Sequence, residues 1–551
     1  MDREPIVVVG AGPTGALLGI ELARRGVGCR IIEKAPMPPA ESRAGGVQSR
    51  SLELLARLGI VDELLSVGNR VKATNFYSDS KRIMRVAYGQ LDGPFPFMLH
   101  VPQYETQRVL DRHLERLGVR VERGVELAGL SQHPGGVTLE ARATDGTRHE
   151  LSASYAVGCD GAHSAVRHQL QMPFTGQPYD WEWVGADVEV DWKYPESEVH
   201  LFISTTGVLA CLPFGGGRWR LITPKVSSGF SDHGSPTLDD IRQLAAQRGP
   251  GSMNIDKPTW LGQFRASRRS APHYRCGRIF LAGDAVHIHS PAAGQGMNTG
   301  LGDAANLGWK LGLVATGRAP ENLLDTYEAE RAPVAQGVIA LTHAIMKVFD
   351  STTPLRRVRD RLVPLVSSNR LVQRKLTSRF SQHWVSYRGG PLAQSRASSF
   401  GGGPAVQAGD RAPQVKNLRV GGVPTSLFDL ISRPEHTVLV LDDGKPASPS
   451  KLTKRLAPYK GAVTVYRVGG SDVGDQSEAH VADPGGDLRQ RYGMRPGWVC
   501  AIRPDGHVGY IGDAHGLHGY LSRCLLPGPE AFEPEPRTVA NLERTPFSAV
   551  C

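Results

Sequence analysis

Residues 7–26, VVVGAGPTGALLGIELARRG, set glycines at 10, 12 and 15 between a short apolar run and a segment of helical period. That spacing suits a bound pyrophosphate. Gly10 permits a tight turn, Gly12 lets the backbone approach phosphate oxygens, and Gly15 lets a helix pack closely on a strand. With Pro13 and Thr14 they open a helix whose free N–H groups and partial positive charge favour phosphates. Glu33 ends the next apolar run, VGCRIIE, where its carboxylate would accept hydrogen bonds from a ribose, and Lys34 follows it. The pattern is that of a dinucleotide site and leaves open which dinucleotide.

Two more stretches carry polar groups among small residues: CDGAHSAVR at 159–167 and LAGDAVHIHSPAAGQGMN at 281–298. His287 and His289 form an HxH pair. A zinc site needs three or four ligands, and no third ligand lies nearby in sequence, so both read as structural and no metal is expected.

The elements around these stretches follow from periodicity. PIVVV at 5–9 reads as a buried parallel strand, with a helix from Thr14 to Arg25 and a second strand ending at Glu33, one βαβ unit. Residues 51–67 and 104–118 read as helices, and 119–158 as a β-meander. From 181 to 264 longer alternating strands predict a mostly antiparallel sheet inserted into the first domain; 277–285 returns to a buried strand, and 298–316 and 322–387 are predominantly helical. GGPLAQSRASSFGGGPAVQAGDRAP at 389–413 reads as a linker, followed by a separate small α/β domain.

Composition narrows the class. At 551 residues the chain exceeds a single core. A net charge of +10 raises the question of nucleic acid, yet the basic residues are scattered, so no nucleic-acid partner is expected. No run of about 18 apolar residues occurs, and MDREPIVVVG passes straight into a strand pattern without a signal-peptide profile. The expectation is a cytoplasmic protein with no membrane partner. The seven cysteines include no CxxC pair, which argues against a flavin disulfide reductase and for free thiols. Arginine outnumbers lysine, as in GC-rich bacterial coding sequence.

GAGPTG, CDGAHSAVR and GDAVH, in that order, together with TYEAERAP at 326–333, resemble the FAD-dependent aromatic hydroxylases, the single-component flavoprotein monooxygenases. The resemblance covers residues 4–345. It implies FAD as cofactor, NADPH or NADH as a transient reductant, O2 as co-substrate and a small aromatic substrate. Oxygen would add at flavin C4a, and the hydroperoxide would deliver OH⁺ to an electron-rich ring. By the same resemblance, Asp284 binds the ribityl chain, and Arg43 in ESRAGG contacts the pyrophosphate. Gln103 in VPQYE lies near the ribityl chain, and Asp160 is linked to both FAD and NAD(P)H. Pro291 opens a loop of small residues that lies against the flavin ring, and Gly296, Met297 and Asn298 begin a helix facing its N1–C2 edge. Arg43 and Pro291 are the candidates nearest the chemistry. Where some phenol hydroxylases carry an Asp this chain has Gly45, so no base is named.

The C-terminal stretches AGDRAP, SLFDLI and IRPDGHVGYIG resemble the thioredoxin-like domain of the phenol hydroxylase branch; lacking CxxC, it is expected to be structural or dimer-contacting. The implied fold is α/β. A Rossmann-type FAD-binding domain comprises 1–75, 98–180 and 265–345, with an inserted substrate-binding sheet at 76–97 and 181–264. A helical segment at 346–390 and the thioredoxin-like domain at 404–551 follow, in a monomer or homodimer. The expected activity is hydroxylation of a phenolic substrate, a polycyclic polyketide of bacterial secondary metabolism. A Baeyer–Villiger oxygenase or epoxidase, a catabolic small-phenol hydroxylase and a flavin-bound ligand-sequestering protein remain the alternatives.

Overall fold

The computed structural model describes residues 4–38, 44–79, 81–225, 236–349, 356–395, 406–442, 452, 456–470 and 480–527. Arg43, Cys551 and residues 396–405 of the expected linker lie outside the described residues.

The apolar strand Ile6–Val9 is wholly buried, as a strand covered on both faces by helices must be. It pairs in parallel with Cys29–Glu33 and Tyr155–Gly158, which continue to Val121–Arg123 and Ile279–Leu281; antiparallel Arg275–Cys276 closes one edge. This is a doubly wound sheet, and its central strands end at the glycine loop and at the CDG stretch. The expected meander resolves accordingly: Val125–His133, Gly136–Ala143 and Arg148–Ala153 form a separate three-stranded antiparallel sheet, whereas Val121–Arg123 and Tyr155–Gly158 belong to the parallel one. The helix expected at 51–67 is two, Ser49–Ala56 and Val61–Val67, because Gly59 adopts φ +72° between them.

A second sheet has eight strands, in the order His287–Ile288, Asn254–Ser270, Thr175–Asp191, Arg218–Pro224, Gly207–Gly215, Glu198–Ser204, Ala73–Ser78 and Lys81–Ala87. It is antiparallel except where Glu198–Ser204 pairs in parallel with Ala73–Ser78. Its two faces are both apolar. One packs Trp219, Phe202 and Leu209 against the capped helix Leu238–Arg248. The other gathers Phe76, Trp183, Phe264, Met346 and Phe380, and Ala293 of the PAAG loop packs against that cluster.

The C-terminal sheet is mixed. His436–Leu441, Val463–Gly469 and His480–Ala482 run parallel, and the hairpin Trp498–Ile502/Val508–Asp513 adds antiparallel. One core lies wholly within this domain, around Leu427, Leu439, Tyr492 and Ile502. A second core is shared: Trp309 and Leu313 of the first domain pack with Val438, Val499, Tyr510 and Tyr520. The stretch read as a linker is packed at both described ends. Gln394–Ser395 pairs with Tyr510–Ile511, and Leu392, Val406, Ala408 and Ala412 are buried.

Candidate active site

The glycine loop is built as its spacing demands. Gly10 has φ +100°, and a Cβ there would lie 2.5 Å from the Cys159 carbonyl oxygen, so the first loop and the CDG stretch touch backbone to backbone. A Cβ on Gly15 would overlap the Gly10 carbonyl oxygen, whereas one on Gly12 would meet nothing within 4 Å. Gly12 therefore faces an open cradle. It caps the helix Pro13–Ala23 without a side-chain hydrogen bond, which leaves the first N–H groups for an anion. Glu33 accepts from Ala11 N at 2.8 Å and Ala35 N at 2.9 Å. The carboxylate thus fixes the glycine loop and the start of the segment after the strand. Lys34 beside it is exposed.

Asp160 accepts from Val166 N at 3.2 Å through Oδ2, while Oδ1 is buried without a hydrogen-bond partner, and burial raises its carboxyl above the usual range. An orphaned buried acceptor beside an open glycine cradle is what a polar ligand would satisfy. Arg167, at the end of the same stretch, donates to Ala162 O at 2.9 Å and to Ala285 O at 2.8 Å, tying the second stretch to the third.

The third stretch is thus brought to the first. Asp284 is exposed on the single turn Gly283–Ala285, and a Cβ on Gly283 would lie 2.7 Å from Thr14 Oγ1. His287 is committed to a buried carboxylate: its Nε2 lies 2.6 Å from Asp303 Oδ2, which also accepts from Gly283 N at 3.0 Å. Asp303 Oδ1 accepts from Arg331 Nε at 2.7 Å. His289 meets Ser290 O at 2.8 Å, and burial pulls its pKa down to about 4, so the ring is neutral.

Pro291 precedes the turn Ala292–Gly294, where Ala293 holds φ +61°, a conformation that a Cβ disfavours. Gln48 Nε2 donates to Ala293 O at 3.1 Å and holds that turn. Gly296, Met297 and Asn298 open the helix Gly296–Ala315. The Asn298 side chain accepts from Gln48 N at 2.8 Å and donates to Gly46 O and Gly294 O, each at 2.9 Å. It clamps two loops together, and its backbone stays at the helix start. Gln103 opens the helix Gln103–Arg116 and accepts from Ala44 N at 2.9 Å, so it holds the segment just after Arg43.

The family model described as FAD binding domain matches residues 3–342. The chain belongs to the FAD-dependent aromatic hydroxylases. This monooxygenase is 33% identical to 6-methylpretetramide 4-monooxygenase of Streptomyces rimosus, over 96% of this chain and 94% of that one. It is 30% identical to pentachlorophenol 4-monooxygenase of Sphingobium chlorophenolicum, over 91% and 93%. Among solved structures, anhydrotetracycline hydroxylase from Streptomyces rimosus superposes with a TM-score of 0.75 at 29% identity, covering 96% of this chain and all of that one. The ternary complex of aklavinone-11 hydroxylase with FAD and aklavinone shares the fold, with a TM-score of 0.76 at 24% identity over 95% and 100%.

Several residues of the monooxygenase site escaped sequence reasoning. Arg220 donates bidentately to Asp187 at 2.7 and 2.8 Å, and to Ala44 O at 3.1 Å. It lies between the rings of Phe214 and Trp260, 5.2 Å from each. A buried arginine in the strand RWRLITP joins the eight-stranded sheet to the loop beside Arg43. No sequence signal marks it: Arg218-Trp219-Arg220-Leu221 alternates like a half-exposed strand, yet Trp219, Arg220 and Leu221 are all buried. Gln107 donates to Ala11 O at 2.8 Å from one turn beyond Gln103, a signal visible only once that helix is docked on the glycine loop.

Proposed function

We propose that this monooxygenase takes electrons from NADPH or NADH and places one atom of O2 on an electron-rich ring of a polycyclic phenolic polyketide. Substrate, O2, NAD(P)H and a proton become hydroxylated product, water and NAD(P)+. Bound FAD supplies the redox chemistry, accepting a hydride and making O2 reactive. The residues of the chain supply the rest. Gly10, Gly12, Gly15, Pro13 and Thr14 receive the pyrophosphate, Arg43 contacts it, and Glu33 with Lys34 meets the adenosine half. Gln103 and Asp284 hold the ribityl chain, and Asp160 offers its free acceptor to the cofactor. The N–H groups of Gly296, Met297 and Asn298 stabilise negative charge on the reduced ring. Pro291 and the Ala293 turn pack small side chains and backbone against it and exclude water. Phe76, Trp183 and Phe264 give the substrate an apolar face on the other side of that turn.

The observation that carries this reading is coverage: the likeness to 6-methylpretetramide 4-monooxygenase runs through the substrate sheet and the C-terminal domain as well as the FAD domain. The pentachlorophenol relative favours a small phenol as second reading. A panel of polycyclic and single-ring phenols, scored by NADPH and NADH oxidation and by mass gain of one oxygen atom, separates the two. Oxygenation of polycyclic phenols is expected. Oxygenation of single-ring phenols alone would move the substrate to the second reading, and no oxygenated product from any phenol would sink both.

A further inference from the structure

The turn Arg503-Pro504-Asp505-Gly506-His507 joins the C-terminal strands Trp498–Ile502 and Val508–Asp513, and all five residues are buried. Hairpin turns ordinarily face water. This one is driven into the first domain. Arg503 donates to both carboxylate oxygens of Glu330, at 2.6 and 2.8 Å. Asp505 Oδ2 accepts from Trp309 Nε1 at 3.2 Å and Asn306 Nδ2 at 3.4 Å, and its carbonyl oxygen accepts from Arg50 Nη2 at 2.8 Å. The Pro504 carbonyl accepts from Arg57. The His507 ring lies 4.2 Å from that of Tyr387.

Arg50, Asn306 with Trp309, and Glu330 lie on three helices, two of which begin at the flavin loops; Arg57 caps the end of the first, and Tyr387 lies outside any helix. Arg50 is in Ser49–Ala56, which begins directly after the strand Gly46–Val47 and the clamp residue Gln48. Asn306 and Trp309 are in Gly296–Ala315, whose first turn follows the Ala293 loop. Glu330 is in Thr326–Phe349 next to Arg331, which donates to Asp303, to Thr299 O at 3.0 Å and to Tyr387 OH at 3.1 Å. Asp303 in turn holds Gly283 N and His287.

We infer that the 503–507 turn is a positioning element for the flavin site, setting the two helices that start at the flavin loops and, through Tyr387, Arg331 and Asp303, the turn that carries Asp284. Stability alone does not account for such a network. Buried ion pairs are weak contributors to stability, because the loss of hydration offsets their attraction, and apolar replacements often serve as well. Here Arg503, Glu330 and Lys310 are all fully buried, and Glu330 is held between the two cations, one on the C-terminal turn and one on the helix Gly296–Ala315. The C-terminal domain is then part of the cofactor site without touching the cofactor.

Tyr387→Phe tests this with the loss of one hydroxyl, and Asp505→Asn with the loss of one charge at constant shape. Full-length variants are titrated with FAD by fluorescence, their bound-flavin absorption spectra are recorded, and unfolding of the apo forms is followed separately. The expected result is a folded protein with an FAD dissociation constant raised about 5- to 150-fold, the usual span of coupling between linked sites, and a shifted flavin spectrum. Should Asp505→Asn fail to fold, Tyr387→Phe decides alone. Wild-type FAD affinity and spectrum in the folded variants would overturn the inference and leave the turn a docking contact, whatever happens to unfolding.

Discussion

Gly12 and Gly15 are three residues apart and have opposite surroundings, so the same substitution separates binding from folding. Gly12→Ala adds a methyl to open space and should leave thermal unfolding of the apoprotein unchanged, while FAD affinity falls about tenfold or more, ~1.4 kcal/mol. Gly15→Ala drives a methyl into the Gly10 carbonyl and should cost about 1–3 kcal/mol of stability, read by urea denaturation. Equal effects of the two on stability would contradict the cradle. Asp284→Ala should weaken FAD by roughly 10- to 150-fold, about 1.5–3 kcal/mol for a lost hydrogen bond to a charged group; retention of wild-type affinity on equilibrium titration would remove Asp284 from the site. At this scale the glycines and aspartates were legible because short spacing dictates their geometry. Arg220, Gln48 and Gln107 were not, since each acts across distances in sequence that only the docked elements close: Arg220 reaches Ala44 over 176 residues.

Between elements, the eight-stranded sheet meets the loop after Arg43 through Phe214 and through Arg220, which is held by Asp187 in a buried pair. Removing Arg220 by Arg220→Leu leaves Asp187 buried and unpaired, which should cost about 3–5 kcal/mol; adding Asp187→Leu should recover most of it. Urea denaturation of the single and double variants measures this, and a single variant as stable as wild type would show that the pair carries no such coupling. The recovered double variant should still reduce its flavin abnormally in stopped-flow experiments, because the hydrogen bond from Arg220 to the Ala44 carbonyl is gone. Strand and helix identities were readable from period, as the fully buried run Ile6–Val9 shows. Which sheet each strand joins was less so: Val121–Arg123 and Val125–His133 are neighbours in sequence and members of different sheets. At the two described ends of the 389–413 stretch the linker reading missed packing, because a glycine-rich composition sets how tightly backbone can turn and not whether other chain covers it.

Across the whole molecule, burial keeps several histidines neutral. His100, His289 and His507 are pulled to about 4, and His436 to about 3, in each case chiefly by burial. Below the unfolded value of about 6.5 the unfolded chain binds protons that the folded chain refuses, so stability is complete above about 6.5 and falls as pH drops toward 4. Denaturant midpoints should hold from pH 7.5 to about 6.5 and then decline down to pH 5, before the carboxylates titrate; a flat profile throughout would mean these rings are not buried in solution. The thiols of Cys159, Cys211, Cys500 and Cys524 are free and buried, with pKa values raised by burial, in keeping with the expectation of free thiols. One consequence of the inserted turn concerns biosynthesis. Arg50 and Asp505 are separated by 455 residues, Glu53 and Arg411 by 358. The ribosome therefore releases every cofactor motif long before the residues that cover the charges behind them, and contacts this distant form slowly. A message ending near residue 400 would encode the whole matched region 3–342 and still leave Arg50, Glu53, Arg57 and Glu330 without their C-terminal partners. Such a product should emerge colourless and dependent on chaperones, whereas the full-length translation product turns yellow only after its last hundred residues have left the exit tunnel.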